Sequence, residues 1–470
     1  MNTATFDGQA PLKILHVIPA MTAEAGGPPM VVAGLAAAMA ERGHSVMVAA
    51  VEQVGRMPVH VNRAVRLRTF APDVLPHGGR YARSRALDQW LKKNVRCFDL
   101  VHLHALWQFP TFAAARECRR SGVPYVVMPH GMLDRYCIGQ HSSIVKRIYW
   151  RLREHGVHAG AAGLHCLNKA ETRRAMPWVT EMPKFVAGNG IDRMQLERMP
   201  GRGTFRAEHP EFMGKKLALF LSRVHPKKGL DRLIPAWKDV VRAVPESVLM
   251  IAGTGEAAYV ESLKRLAAAN GLAEHVAFAG QVVGDEKWKL LVDSDVFVLP
   301  SHQEGFSMAI TEALAAGCAP VVTEECNFDE LEGGSAASGV IVRGGDMKAF
   351  AHEVAELLSP IGELRRARLG EAGRRLVGER FTWQRIAGDL EQVYQHVLTG
   401  GRLSASGAEV WRHGPERVRE RIYEEAPGAF VGADSMARGD AGAAVFGGMG
   451  GLAMPVISAP RDPRRISTIT

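Results

Sequence analysis

Twice along the 470-residue chain, short runs of aliphatic and β-branched residues alternate with longer stretches of helical period. The first series reads LKILHVIP (12–19), HSVMVAAV (44–51), VRLRTF (65–70), DLVHLHA (99–105), PYVVMPHG (124–131), GLHCLN (163–168) and KFVAGNGI (184–191). The second reads LALFLSRV (217–224), SVLMIAG (247–253), HVAFAG (275–280), DVFVLP (295–300), APVVTEE (319–325) and GVIVRGG (339–345). Helical periodicity falls between them, at 29–42, 84–96, 110–121 and 142–155 and again at 230–244 and 259–271. Strands that alternate with helices specify parallel sheets with crossover helices. The pattern therefore predicts an α/β protein of two doubly wound domains, at 12–195 and 215–380.

Between the two series, Asp192 to Gly214 is rich in Arg, Pro and Gly without periodicity and reads as a linker, with 196–214 lying outside both domains. After Gly345 the chain turns helical, ending in FTWQRIAGDLEQVYQHVL (381–398), a helix expected to pack back toward the first domain. Residues 1–11 and the Gly, Ala and Ser-rich 400–470 lack the apolar content to bury a core, and both are expected to be disordered.

Composition narrows the class. Hydrophobic residues at 47% and charged ones at 23% describe an ordinary globular chain, and no apolar run is long enough to span a bilayer. The N-terminus lacks the basic and apolar regions of a secretory signal, so a cytoplasmic location is expected. Six cysteines without a C-x-x-C pair point to reduced, buried thiols. Net charge is +9, and residues 401–470 hold nine Arg against eight Asp and Glu, so the excess belongs to the body and favours anionic partners.

In an open α/β sheet the loops at the carboxyl ends of strands hold ligands. Glu304 and Glu312, eight residues apart in EGFSMAITE, bracket a helix start whose amides, at Gly305, Phe306 and Ser307, form a seat for phosphate. Two acceptors flanking an anion site suit a ligand with hydroxyls at both ends, as in a nucleotide-sugar. An isolated pair of this kind is more often two solvated acids. Arg223 and Lys228, in RVHPKKG, can converge on one pyrophosphate or form a solvated basic loop. Gly26 and Gly27 precede a helix after the first strand, and His130 with Gly131 ends the fifth. Gly253, in AGTGE, and Val282, in the segment after the HVAFAG strand, close the edge where a nucleotide base could be read. Asp293-Ser294-Asp295 matches the D-x-D string of metal-dependent enzymes, but it precedes a strand and reads as a turn.

The ordered set resembles the retaining glycosyltransferases of family 4, with the GT-B fold, over Leu12 to Leu398. The stretch PHGMLDRY is similar to a bacterial branch that builds surface polysaccharides. The resemblance implies that Arg223 and Lys228 grip a donor pyrophosphate, Glu304 the transferred hexose and Glu312 the ribose, with His130 near the reacting centre. It implies a UDP- or GDP-sugar donor, retention without a metal or other cofactor, and a glycan or polyprenyl-diphosphate-linked acceptor. Ser222, where the family often has Gly, and Pro28-Pro29 depart from its pattern without removing a charged group.

HSSIVKRIYWRLREHG (141–156) mixes cations with aromatic and aliphatic residues, compatible with an anionic membrane surface or with a packed helix and snorkelling cations. Two other functions stay open at this level: another GT-B enzyme such as a sugar-nucleotide epimerase, or a basic nucleic-acid-binding or scaffold protein. The scattered cations count against nucleic acid.

Overall fold

The computed structural model describes residues 10–53, 55–73, 81–133, 148–179, 182–401 and 409–410. Each expected strand forms. β1 (Lys13–Ile18), β2 (Ser45–Val51), β3 (Arg66–Phe70), β4 (Leu100–His104), β5 (Tyr125–Met128), β6 (Gly163–Cys166) and β7 (Lys184–Val186) make the first sheet. β8 (Lys216–Leu221), β9 (Ser247–Ala252), β10 (Val276–Gly280), β11 (Val296–Leu299), β12 (Ala319–Thr323) and β13 (Val340–Val342) make the second. All pairings are parallel, in the orders β3-β2-β1-β4-β5-β6-β7 and β10-β9-β8-β11-β12-β13. Strands β4, β5, β9 and β11 are buried along their whole length, as strands covered by helices on both faces must be.

The helices follow the apolar pattern with small shifts at their ends. In the first domain α1 spans Gly27–Glu41, α2 Arg85–Asn94, α3 Phe109–Ser121 and α4 Lys169–Val179. α1 starts two residues before the expected Pro29, because Pro28 and Pro29 fit a first turn whose NH groups have no intrahelical partner. In the second domain lie α5 (Leu230–Ala243), α6 (Ala257–Ala269), α7 (Gly284–Asp293), α8 (Met308–Ala316), α9 (Met347–Leu358) and α10 (Glu363–Arg380). The final helix, α11 (Trp383–Leu398), lies against α1 of the first domain, burying Ile386, Leu390, Val393 and Tyr394 in that core. Arg42 forms an ion pair with Glu391 across this contact.

Chain crossings join the halves side by side. Ile191 N donates to Phe381 O (2.7 Å) and Trp383 N to Ile191 O (3.1 Å), so the path out of the first domain is stitched to the return path.

Several expectations need correction. The stretch 192–214 is not irregular throughout: it holds short helices at Arg193–Glu197 and Thr204–Glu208. Buried carboxylates pin it, Asp293 accepting from the backbone NH of Arg206 (2.9 Å) and of Gly203, and Asp295 pairing with Arg202 (2.9 Å) and Arg206 (3.1 Å). The D-x-D string thus anchors the linker. Of the expected helix at 142–155, residues 142–147 lie outside the described ones. The rest is helical from Ile148, with a π-helical turn at Trp150–Glu154. Within the expected loose tail, Glu409–Val410 forms β14, parallel to β7 at Phe185 and Val186; residues 402–408 and 411–470, like 1–9, lie outside the described ones. Cys118, Cys166, Cys318 and Cys326 are free and buried, whereas Cys97 is exposed.

Candidate active site in the interdomain cleft

Strand order reverses between β1 and β4 in one sheet and between β8 and β11 in the other, and such switch points open a crevice at the carboxyl ends of the strands. In the second domain the loops after β8 and β11 meet there. The first makes a tight turn at Pro226–Lys228 before α5, and the second runs from Pro300 to Ser307 before α8. Lys228 and Glu304, both nearly buried, form an ion pair through Glu304 Oε1, which also accepts from Ser301 Oγ (2.7 Å). The main chain of Glu304 is fixed from both sides: its NH donates to Glu325 O (2.9 Å) and its carbonyl accepts from Asn327 Nδ2 (2.7 Å).

The surrounding field is positive. Arg223 is exposed and has no carboxylate partner among the described residues. Nearby His225 is held below its usual pKa by burial and then by the charges of Arg223, Lys227 and Lys228. α8 begins behind Glu304, its Ser307 side chain accepting from Ile310 N (3.4 Å), so the amides of the first turn face the loop end of the strand. Glu312 lies in the second turn of α8 and accepts from Lys287 Nζ (2.7 Å), whose ammonium also sits over the Trp288 ring. At the next edge, Gly253 N donates to Gly280 O (2.6 Å). A Cβ at Gly253 would lie 1.9 Å from Ser222 O, so only glycine allows the loops after β8 and β9 to come this close. Val282 is half-buried and packs against the core of the second domain.

The facing side, from the first domain, is built differently. After β5 the chain turns through His130 (φ 52°) and Gly131 (φ 75°), both in the left-handed region. Glu171, nearly buried, holds this turn: its Oε1 accepts from Gly131 N and its Oε2 from Leu167 N, both at 2.6 Å. Gly131 meets Gly305 across the cleft so closely that a Cβ on it would lie 3.3 Å from Gly305 Cα. Asn168 ties the halves together, its Nδ2 donating to Gly305 O (2.7 Å) and Asn327 O (3.1 Å). Together Gly131, Asn168, Glu171, Gln303, Glu304, Gly305 and Asn327 line a small interdomain cavity. His130 is neutral at physiological pH, burial pulling its pKa down to about 3.

The structure thus brings His130, Gly131, Lys228, Glu304 and Gly305 together, with Arg223 in the loop after β8 and Glu312 in the second turn of α8. Gly26 and Gly27 lie exposed at the start of α1, after β1 of the first sheet. The Phe306 side chain serves packing instead, against Phe328 and Phe381 and against Val31, Met128 and Leu167 of the first domain. Sequence reading missed Ser301, Asn168, Glu171 and Asn327. Asn168 and Glu171 stand after a strand in LNKAE, a position that signals a site, but their partners are backbone atoms up to 159 residues away.

Two family models match in succession: "glycosyl transferase 4-like domain" over residues 26–187 and "glycosyl transferases group 1" over 201–376. Among curated relatives, a GDP-mannose-dependent alpha-(1-6)-phosphatidylinositol monomannoside mannosyltransferase of Mycolicibacterium smegmatis is 32% identical over 228 residues, 47% of this chain and 56% of that protein. Its counterpart in Mycobacterium tuberculosis is 34% identical over 177 residues, 36% of this chain and 45% of that protein. The chain spans about half the length of these curated relatives. Among solved structures, Anabaena HepE in complex with UDP superposes with a TM-score of 0.64 at 16% identity, over 82% of this chain and all of that one. With both halves of the chain matched and two parallel-sheet domains facing across a cleft, the protein belongs to the group 1 glycosyltransferases of GT-B fold.

Proposed function

We propose that this chain transfers a hexosyl group from a UDP- or GDP-sugar to a glycan or lipid-linked glycan, with retention of anomeric configuration, in bacterial polysaccharide synthesis. The carrying observation is the Lys228–Glu304 pair at the start of α8, opposite His130 and Gly131. On this reading a donor separates the pair. Lys228 and Arg223 turn to the pyrophosphate, and Glu304 accepts hydrogen bonds from the hexose hydroxyls. The charge that develops on the leaving nucleoside diphosphate is met by these cations and by the first-turn amides of α8, a fixed electrostatic arrangement that lowers the barrier. Departure of the diphosphate leaves an oxocarbenium-like centre, and the acceptor hydroxyl attacks from the same face, passing its proton to the departing phosphate oxygen. In this scheme no divalent cation is required. Glu312 binds the ribose after releasing Lys287, and Gly253 and Val282 border the base. Support for the class of donor comes from the relatives, whose names specify GDP-mannose, and from a fold neighbour solved with UDP.

A donor screen tests the reading. Purified protein is incubated with individual nucleotide-sugars, with and without EDTA, and nucleoside diphosphate release is followed. One preferred donor and an unchanged rate in EDTA are expected, while inactivity with every donor and acceptor extract would sink the proposal.

The acceptor side is proposed to meet an anionic membrane surface. Ile148 and Leu152 are 55% and 74% exposed beside the exposed Arg151, an arrangement that suits shallow insertion with cations at the headgroups. No helix among the described residues is long and apolar enough to cross a membrane. Co-sedimentation with phosphatidylglycerol vesicles, reduced in Leu152→Glu, is the expected result.

A further inference from the structure

The two strands that flank the switch point of the first sheet carry three fully buried histidines, His16 on β1 and His102 and His104 on β4. They belong to two hydrogen-bonded branches. In one, His165 Nε2 lies 2.8 Å from Ala187 O, His165 Nδ1 3.4 Å from His102 Nε2, and His102 Nδ1 2.7 Å from Tyr394 OH. A carbonyl only accepts, so His165 carries its proton on Nε2. His165 Nδ1 is then the acceptor for His102 Nε2–H, and Tyr394 donates to His102 Nδ1. This branch is closed at both ends within the core.

The second branch leads to the cleft. His16 Nδ1 lies 2.9 Å from His104 Nε2, and His104 Nδ1 3.2 Å from His130 Nε2. His16 Nε2 is buried and has no hydrogen-bond partner among the described residues. Two proton arrangements fit these distances, and the far end decides between them. One leaves an unpaired N–H at His16 Nε2 and the other a bare lone pair, and buried orphan N–H groups are the rarer of the two. The favoured arrangement has His16 Nδ1–H donating to His104, His104 Nδ1–H donating to His130 Nε2, and the remaining proton on His130 Nδ1.

We infer that His104 and His16 are positioning residues: a relay of neutral imidazoles that fixes His130 as the Nδ1–H tautomer and occupies its Nε2. Because the relay ends at a buried atom, it cannot carry a proton to solvent, and it orients rather than conducts. Burial lowers the pKa of His16 to about 3 and that of His104 well below its usual value, in keeping with uncharged rings. His16, His102 and His104 also present nitrogens within 4.8 Å of one another, the separation of a metal site. Both nitrogens of His102 and of His104 are already engaged, however, and only His16 Nε2 is free, so a bound ion would have to break both branches. The consequence for catalysis rests on the reading of this cleft as a transferase site: His130 offers the substrate a donor at Nδ1 and does not act as a base through Nε2.

Long-range 1H–15N correlation spectra of the full protein labelled with 15N-histidine read the tautomers directly. At pH 7.5, His130 and His16 are expected as Nδ1–H and His102 and His165 as Nε2–H forms. His104→Leu should return His130 to Nε2–H and lower kcat roughly ten- to a hundredfold with the donor KM nearly unchanged. His104→Asn, whose amide can donate to His130, should restore both. An Nε2–H His130 in the wild type, an unchanged tautomer in His104→Leu, or stoichiometric metal by elemental analysis would overturn the relay. Where His104→Leu fails to fold, His16→Leu takes its place. A partial shift of His130 toward Nε2–H is expected there, and no shift would overturn the relay. An inactive protein with an Nδ1–H His130 would defeat the transferase reading and leave the relay standing.

Discussion

The two walls of the cleft are made by the same topology and use opposite chemistry. The second domain presents charged side chains, Arg223, Lys228 and Glu304 on the loops that end strands and Lys287 and Glu312 in the first two turns of the helices α7 and α8. The first presents the neutral imidazole of His130, two left-handed residues and backbone groups, held by Glu171 and Asn168. Charge suits a diphosphate, which needs neutralising wherever it sits. On the proposed reading, a reacting carbon approached from one face needs fixed direction, which uncharged hydrogen bonds and glycine-limited contacts can supply.

The strongest way to break this contrast is at the charged wall. Lys228→Ala removes the cation proposed for the leaving group and should lower kcat/KM by about 10²–10³. It also strands Glu304 as a buried charge, at a cost of about 3–5 kcal/mol in stability. Denaturant titration should show that cost largely recovered in Lys228→Ala/Glu304→Gln, with activity no higher than in the single variant. Full activity in the single variant would remove Lys228 from the site.

At the neutral wall the expected effect is on pH dependence. His16 and His165 are buried, with burial lowering their pKa values to about 3 and about 4. The unfolded chain takes up protons near pH 6.5 while the folded one does not, so their contribution is complete above that pH and declines as pH falls toward 3 or 4. At pH 5 each should cost roughly 2 kcal/mol relative to pH 7.5. Replacing either ring, in His16→Gln or His165→Gln, should remove about 2 kcal/mol of this pH dependence from urea titrations, and an unchanged dependence in the variant would show that the ring is charged in the folded protein.

Asn168→Ala acts on the join between the walls. It leaves Gly305 O and Asn327 O without their side-chain donor, and a loss of about 1–2 kcal/mol is expected, with a wider cleft in small-angle scattering. An unchanged profile and stability would show that other contacts hold the halves. The smallest effect is expected at Glu312. Glu312→Ala should raise the donor KM about fivefold to tenfold with kcat unchanged, the signature of uniform binding lost.

The same contrast explains what could be read from the sequence. Strand positions were legible because parallel strands covered on both faces, such as VFVL in β11, are apolar throughout. The charged wall was legible as well, since Arg223, Lys228 and Glu304 lie in short loops next to those strands and Glu312 in the second turn of the helix that follows one. The Lys228–Glu304 pairing was not, because it joins residues 76 apart through the folding of two loops. The neutral wall was mostly hidden. His130 stood out at a strand end, but His16, His102 and His104 lie inside strands, where a buried histidine looks like any core position. Asn168 acts on carbonyls, and no local pattern announces a backbone partner. The linker failed for the opposite reason: its helices are five residues each, too short to show a period, and their anchor is a distant pair of aspartates.

The central claim is that Lys228, Arg223 and Glu304 form the seat of a nucleotide-sugar. Isothermal titration of the wild type and of Lys228→Ala with UDP, GDP and ADP tests it most directly. Saturable binding of one of these diphosphates by the wild type, weakened at least tenfold in the variant, is the predicted result. No binding of any of the three to the wild type at millimolar concentration, or equal affinity in the variant, would contradict it.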